Sequence, residues 1–264
     1  ENIKKQREKY PDIATRVIDI SDIILEILDA RFIDDTRNLK VEESIKTKGK
    51  KLLYVLNKAD LVERNKVKDV IKKEKLYPHV FVSCRTKKGI RELRDKIKAM
   101  SGGLELEGKE RAQVGIIGYP NTGKSSLINL LTGKFTSQVS PISGFTKGMQ
   151  KRKLKKGIII IDTPGVIPDK EYSNIDIEKL ARHAKIGAMS YDRVKDPEMA
   201  VTLLMENYSK QIEKYYEINA EGNPDVLIEE LGKKKHFLVK GGEVDIDRTT
   251  RIILRDWQEG RIRA

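Results

Sequence analysis

Two short runs of residues hold most of the chemistry available to this chain, and both suit a nucleotide. Gly118-Tyr119-Pro120-Asn121-Thr122-Gly123-Lys124-Ser125 satisfies G-x-x-x-x-G-K-[ST], the pattern of a phosphate-binding loop. Glycines let such a loop curl until successive backbone N–H groups face phosphate oxygens, and the following helix presents its positive end to the same anion. In that arrangement Thr122, Gly123 and Ser126 line the phosphates, Lys124 reaches the β/γ-phosphates, and the Ser125 hydroxyl ligates magnesium. The second run, Asn57-Lys58-Ala59-Asp60, suits a guanine base. Asp60 can accept from guanine N1–H and the exocyclic N2 amine together, a pair of donors adenine lacks. A buried polar group left unpaired by the wrong base discriminates by about 10⁴ to 10⁵. Asn57 would brace the loop and bond the base, and the Lys58 stem would cover the ring face.

Three weaker signals extend the site. Asp162-Thr163-Pro164-Gly165 follows an isoleucine run; there Asp162 would hold magnesium through water and the Gly165 N–H would sense the γ-phosphate. Between the phosphate loop and Asp162, Pro141 to Gly148 reads as a switch in which Thr146 is the magnesium candidate, with neighbouring hydroxyls as competitors. Ser83-Cys84-Arg85 could turn backbone N–H groups toward guanine O6, although a serine at a strand end is also an ordinary turn residue.

These residues need a scaffold that gathers loops at one edge. Ile23 to Leu28, Lys51 to Leu56, His79 to Val82, Ala112 to Ile117 and Ile158 to Ile161 are short apolar runs of the kind buried in parallel sheets, with helical patterns between them. This alternation predicts a doubly wound α/β sheet over 1–172, with ligands at the carboxyl ends of the strands. From 173 to 264 the chain reads as helical. Ile175, Ile177, Leu180, Ala181 and Ala184 give one apolar face, Met199, Leu203 and Leu204 a second, and Val226, Leu227, Ile228 and Leu231 a third. Pro197 and Pro224 suit first turns, Gly232 a helix end, and a last helix from about Asp245 to Trp257 turns Ile252, Ile253 and Trp257 inward.

The base-reading run precedes the phosphate loop, the reverse of the usual GTPase order. Together with Asp29-Ala30-Arg31 after the first apolar run, and with Gly241 to Asp245 and Leu254 to Gly260, this order resembles the circularly permuted GTPases of the YlqF/YawG family over nearly the whole chain. The resemblance implies a GTP hydrolase that docks on a maturing ribosomal subunit, binds rRNA and leaves after hydrolysis. In a permuted chain, Ser101 to Gly108 would join the old termini.

Two features separate GTP binding from hydrolysis. Val166 stands after Gly165, where Ras-like proteins carry a water-orienting glutamine, and a valine cannot position water. Asn121 resembles the asparagine of potassium-activated GTPases, which implies a potassium ion between the nucleotide phosphates; turn chemistry is the alternative. Bacterial members of the family carry a glycine-histidine segment with a proposed catalytic histidine, and none of His79, His183 or His236 holds such a place.

A formal charge of +13 and a pI near 9.5 favour polyanionic partners. Lys151 to Lys153, Lys233 to Lys235 and Arg261 to Arg263 are the densest basic stretches, fit either for RNA phosphates or for a solvated surface. A single cysteine, Cys84, allows no internal disulfide. No run is long and apolar enough to span a bilayer, so the expectations are a cytoplasmic protein without membrane contact, and nothing demands more than a monomer. Two other readings stay open: an RNA-binding scaffold whose nucleotide merely sets conformation, and an ATPase or nucleotide kinase with an accidental base motif.

Overall fold

The computed structural model describes residues 10–102, 111–133, 150–155, 158–162, 183, 185–187 and 189–263. The chain divides into two compact units, Glu1–Ser173 and Asn174–Ala264.

In the first unit, strands β1 (Ile23–Asp29), β2 (Lys51–Asn57), β3 (His79–Phe81), β4 (Ala112–Ile117), β5 (Gln150–Lys155) and β6 (Ile158–Asp162) form one sheet in the order β3-β2-β1-β4-β6-β5. Five strands are parallel; β5 runs antiparallel to β6 at the edge. The chain winds outward from β1 to β3 and returns to place β4 against β1's other side. The topological switch point therefore lies between β1 and β4, where the loops leaving the two strands part and open a crevice.

β1 is buried along its whole length, as its unbroken Ile23-Ile24-Leu25-Glu26-Ile27-Leu28 run requires of a central parallel strand. One sheet face carries Leu25, Ile27, Val55 and Val80 against helices α5 (Ile90–Gly102) and α6 (Lys124–Thr132), through Leu93, Ile97, Leu127 and Leu131. The opposite face packs Ile24, Ile117 and Ile161 against Val17 and Ile18 of α1 (Tyr10–Ile20) and Ile45 of α3 (Leu39–Thr47). On the same side, Leu28 and Leu56 meet Val67 and Ile71 of α4 (Arg64–Lys73). A one-turn helix, α2 (Ile33–Thr36), links β1 to α3. Ser101 and Gly102 complete α5, and the rest of the expected connector lies outside the described residues.

The basic stretch Lys151 to Lys153 lies within β5. Gln-Lys-Arg-Lys-Leu-Lys has no apolar alternation to announce a strand; it becomes one because β6 offers a free edge.

The second unit contains α7 (Pro197–Tyr216), α8 (Pro224–Lys234) and α9 (Ile246–Gln258), with one isolated antiparallel bridge between Leu238 and Val244. Pro197 and Pro224 open their helices behind Asp196 and Asn223, whose side chains accept backbone N–H bonds as N-caps. The buried faces include Leu204, Leu227, Ile228 and Leu231 as expected, and depart from expectation at the first turn of each helix. Ala200, Val201, Leu204 and Met205 are buried on α7 while Met199 is exposed, and on α8 Leu227, Ile228 and Leu231 are buried while Val226 is exposed. Gly232 is a packing residue inside α8, because a side chain there would collide with Val244. Trp257 is fully buried, donates from Nε1 to Lys185 O (2.8 Å), and stacks at a tilt on Tyr208. It serves as a core anchor. Beside it Ile253 and Leu254 are fully buried, whereas Ile252 is half-buried. The expected face at Ile175 to Ala184 lies outside the described residues.

Candidate functional site

Parallel strands deliver their carboxyl ends to one edge, and there the predicted loops meet. β1 ends in Asp29 and β2 in Asn57, which are paired in register; β4 ends one residue before Gly118. At Gly118 the loop passes so close to the Ile27 carbonyl that no side chain would fit, and its φ of 148° suits glycine alone. Asn121 and Gly123 both take positive φ, 58° and 96°, and turn the loop back into α6.

Asn57 ties three loops together. Its amide is almost fully buried, donates from Nδ2 to Thr122 O (2.7 Å), and accepts at Oδ1 from the Cys84 N–H (3.3 Å). Gly123 permits this approach, since any side chain there would strike the Asn57 amide. Ala59 N–H donates to Val82 O (3.0 Å) and fixes the tetrad to the end of β3. The base-reading and phosphate-binding runs, 65 positions apart, thus share one hydrogen-bonded junction.

Lys58 adopts a left-handed backbone, φ 60° and ψ 29°, and turns its ammonium back to Asp29 Oδ2 (2.8 Å). The Asp29 carboxylate is fully buried and also receives the Arg31 guanidinium, through Nε (3.0 Å) and Nη2 (2.8 Å). Burial alone would raise its pKa. The charge and hydrogen bonds of Arg31, reinforced by Lys58, more than offset this and hold the carboxyl at about 2. Burial pulls the Lys58 pKa down in spite of the carboxylate beside it. Asp60 lies at the site's mouth with Oδ2 2.7 Å from Arg85 Nη2, an ion-pair distance at which that oxygen still lacks an aligned hydrogen bond.

On the phosphate side, Lys124 is buried and donates from Nζ to Gly118 O (2.9 Å) and to Tyr119 O. Thr122 is buried, its hydroxyl donating to Tyr119 O (2.9 Å), while Asn121, Ser125 and Ser126 are exposed around the loop. Asp162 ends β6, the strand paired with β4, so the register brings its backbone beside the strand feeding the loop. The backbone of β6 thus ends at the same edge of the sheet as the strand that leads into the loop before Ser125. Thr146, Gly165 and Val166 lie outside the described residues. Among the described residues no group of His, Cys, Asp or Glu side chains forms a metal cluster.

The Ser83 position differs from the simplest expectation. Its N–H donates to Lys88 O (3.0 Å) and its hydroxyl accepts from Thr86 N–H (3.1 Å), so the serine shapes the turn and leaves Cys84 as the residue nearer the base loop. Burial pushes the Cys84 thiol up to about 11, which keeps it a neutral thiol. Sequence reasoning also passed over Glu26. It is buried mid-strand in β1, where burial, then the nearby Glu42 charge, raise its pKa to about 8 against the Asn38 N–H bond and Arg37. A glutamate inside an unbroken apolar run was the available signal.

Comparison with known proteins matches two family models, one described as RsgA GTPase over residues 36–168 and one as 50S ribosome-binding GTPase over residues 113–230. An uncharacterized GTP-binding protein of Methanocaldococcus jannaschii is 39% identical over 257 residues, covering 95% of this chain and 65% of that protein. Nucleolar GTP-binding protein 2 of Saccharomyces cerevisiae is 38% identical over 267 residues, covering 98% of this chain and 53% of its own length. The chain thus spans between half and two thirds of these relatives. The crystal structure of GNP-bound YlqF from T. maritima has the same fold, with a TM-score of 0.65 at 24% identity over 99% of this chain and 95% of that one.

Proposed function

Since the chain belongs to the circularly permuted GTPases of the YlqF/RsgA type, we propose that it binds GTP and hydrolyses it to GDP and phosphate as a factor in ribosome assembly. The observation that carries this reading is the Asn57 amide, bonded at once to the phosphate loop and to the loop after β3, which makes one guanine nucleotide pocket of the two runs. Asp60 pairs with the base edge, and the Lys58 stem covers the ring. Lys124 turns from its own loop carbonyls to the β/γ-phosphates. Water attacks the γ-phosphorus, the bond to the β–γ bridging oxygen breaks, and GDP leaves with that electron pair. Ser125 and Asp162 would hold magnesium, with Thr146 completing the set, and the ion would supply neutralisation of the charge that develops on the phosphates. Gly165 would sense the γ-phosphate through its N–H. Because Val166 cannot orient water, turnover is slow unless stimulated, and a potassium ion held near Asn121 is the proposed stimulus, joined by ribosomal particles.

The +13 charge supports an rRNA-bearing partner, contacted by the helical region 173–264 and released after hydrolysis. Part of that charge is already committed: Lys233 pairs with Glu229 (2.7 Å), Lys234 donates to Tyr216 O (2.8 Å), and Arg261 pairs with Asp256 (3.0 Å). Lys235 and Arg263, both exposed, are better candidates for phosphate contact. No described helix is long and apolar enough to cross a membrane, and a monomer acting in the cytoplasm remains the proposal. Val166 favours a second reading, an RNA-binding scaffold set by nucleotide, with incidental hydrolysis. Titration with GTP, GDP and ATP, followed by phosphate release with and without ribosomal particles, tests both. Equal affinity for ATP defeats the guanine assignment, and unstimulated turnover beside full particle binding favours the scaffold.

A further inference from the structure

Asp29 is not part of the base-reading tetrad or the phosphate loop, yet its side chain is heavily engaged at the site. Its Oδ1 accepts from the Arg31 backbone N–H (3.1 Å) and Nε (3.0 Å); its Oδ2 meets Arg31 Nη2 (2.8 Å) and Lys58 Nζ (2.8 Å). Four donors on one carboxylate saturate it. Side-chain exposure is 0% for Asp29, 1% for Arg31 and 18% for Lys58, so solvent screens these contacts little. Asp29's own N–H donates to the buried Thr36 hydroxyl (3.1 Å), and β1–β2 register puts its backbone beside Asn57. Everything around the carboxylate is therefore fixed before it meets Lys58.

Lys58 has much to lose without such an anchor. A left-handed backbone is costly for a residue with a long side chain and persists only where neighbouring contacts over-determine it. A lysine stem left free also has many rotamers to give up when it is laid along a ring.

Resting on the guanine-binding reading above, we propose that Asp29 is a positioning residue for the base clamp: held by Arg31, its carboxylate pins the Lys58 ammonium and so lays the lysine stem along the face of the bound guanine. Arg31 supplies the second positive charge that lets the carboxylate stay ionised and immobile while it holds Lys58. Contact with a ring face is blind to the substituents at the base edge, and this separates Asp29's work from that of Asp60.

The test measures dissociation constants of GDP, inosine diphosphate and pyrophosphate for the full chain and for Asp29→Asn, Lys58→Met and the double variant. Inosine lacks the N2 amine that Asp60 reads but keeps the ring face, and pyrophosphate has no base. In Asp29→Asn, GDP and inosine diphosphate should weaken by the same factor, on the order of 10- to 100-fold for a lost, largely buried charged contact, with pyrophosphate unchanged. Lys58→Met should show the same uniform loss, and adding Asp29→Asn to it should cost little more. Unchanged GDP affinity in either single variant overturns the proposal, as does a loss that falls on GDP but spares inosine diphosphate, or one that removes pyrophosphate binding equally. If Asp29→Asn does not fold, Lys58→Met alone decides, by the same uniform-loss criterion. A parent chain that binds neither GDP nor inosine diphosphate overturns the guanine reading itself.

Discussion

The two ends of the proposed nucleotide pocket are built on opposite plans. On the base side, Asp29, Arg31 and Lys58 are joined by buried ion pairs, and the Asn57 amide is bonded to Thr122 O and the Cys84 N–H, so recognition geometry is set in the fold. On the phosphate side, Asn121, Ser125 and Ser126 face outward, and Lys124 is satisfied by carbonyls of its own loop. Rigidity belongs where the ligand never changes, because the base is the same in GTP and GDP. The phosphate side must answer to the loss of one phosphoryl group, so its polar groups need partners that can be exchanged.

The contrast can be broken at several points. The largest effect should come from Asp60→Asn. Its amide accepts where the carboxylate accepted but also donates, which should move preference from guanosine to xanthosine nucleotides by about 10⁴ in relative affinity; competition between GTP and XTP measures it, and retained GTP preference places base reading elsewhere. Asn57→Ala comes next. It orphans Thr122 O and the Cys84 N–H, each costing about 1–3 kcal/mol, so GDP affinity should fall about 100-fold although neither Asp60 nor the phosphate loop has been altered. A loss confined to GTP would mean the junction serves the phosphate side alone.

Glu26 tests how much buried charge the rigid side tolerates. Its carboxyl titrates near 8 in the folded chain against an ordinary value of 4.5, so between these values the native state holds a proton that the unfolded state releases. Stability should therefore fall as pH rises from about 4.5 to about 8. Glu26→Gln removes the titration, and its thermal transition should exceed the parent's by about 5 °C at pH 8.5 while matching it near pH 4. A constant gap at all pH values defeats the assignment. The smallest effect is reserved for the exchangeable side: parent turnover should be faster in potassium than in sodium, and Asn121→Ala should make the two salts equal. Equal rates in the parent would remove the cation from the account.

How well the sequence announced these features follows the same division. Lys124 and Asp60 were legible because their roles depend on a local pattern: a glycine-flanked loop between strand and helix, and a tetrad at a strand's end. Asp29 stood out only as part of a resemblance. Its partner Lys58 is brought near by the parallel register of β1 and β2, which no local pattern states. Ser83 left two readings open, because a strand-end serine can spend both its N–H and its hydroxyl on its own turn, as it does here. β5 escaped notice because its place is set by backbone pairing to β6, and its Lys-Arg-Lys reads as surface. Met199 and Val226 lie in the first turns of their helices, where periodicity predicts a face but not how far that face is covered.

The bond from Asn57 to Thr122 also has a meaning in time. A ribosome making this chain releases the asparagine first and the acceptor 65 residues later, an interval on the order of 3–13 s at typical rates of synthesis. During those seconds β1 and β2 can pair, yet the amide that will lock the pocket has no partner from the loop still to come. Permuted order thus makes the base side of the site precede its phosphate loop, and a nascent chain stalled before residue 122 should hold its base-reading strands without a pocket to close around GTP.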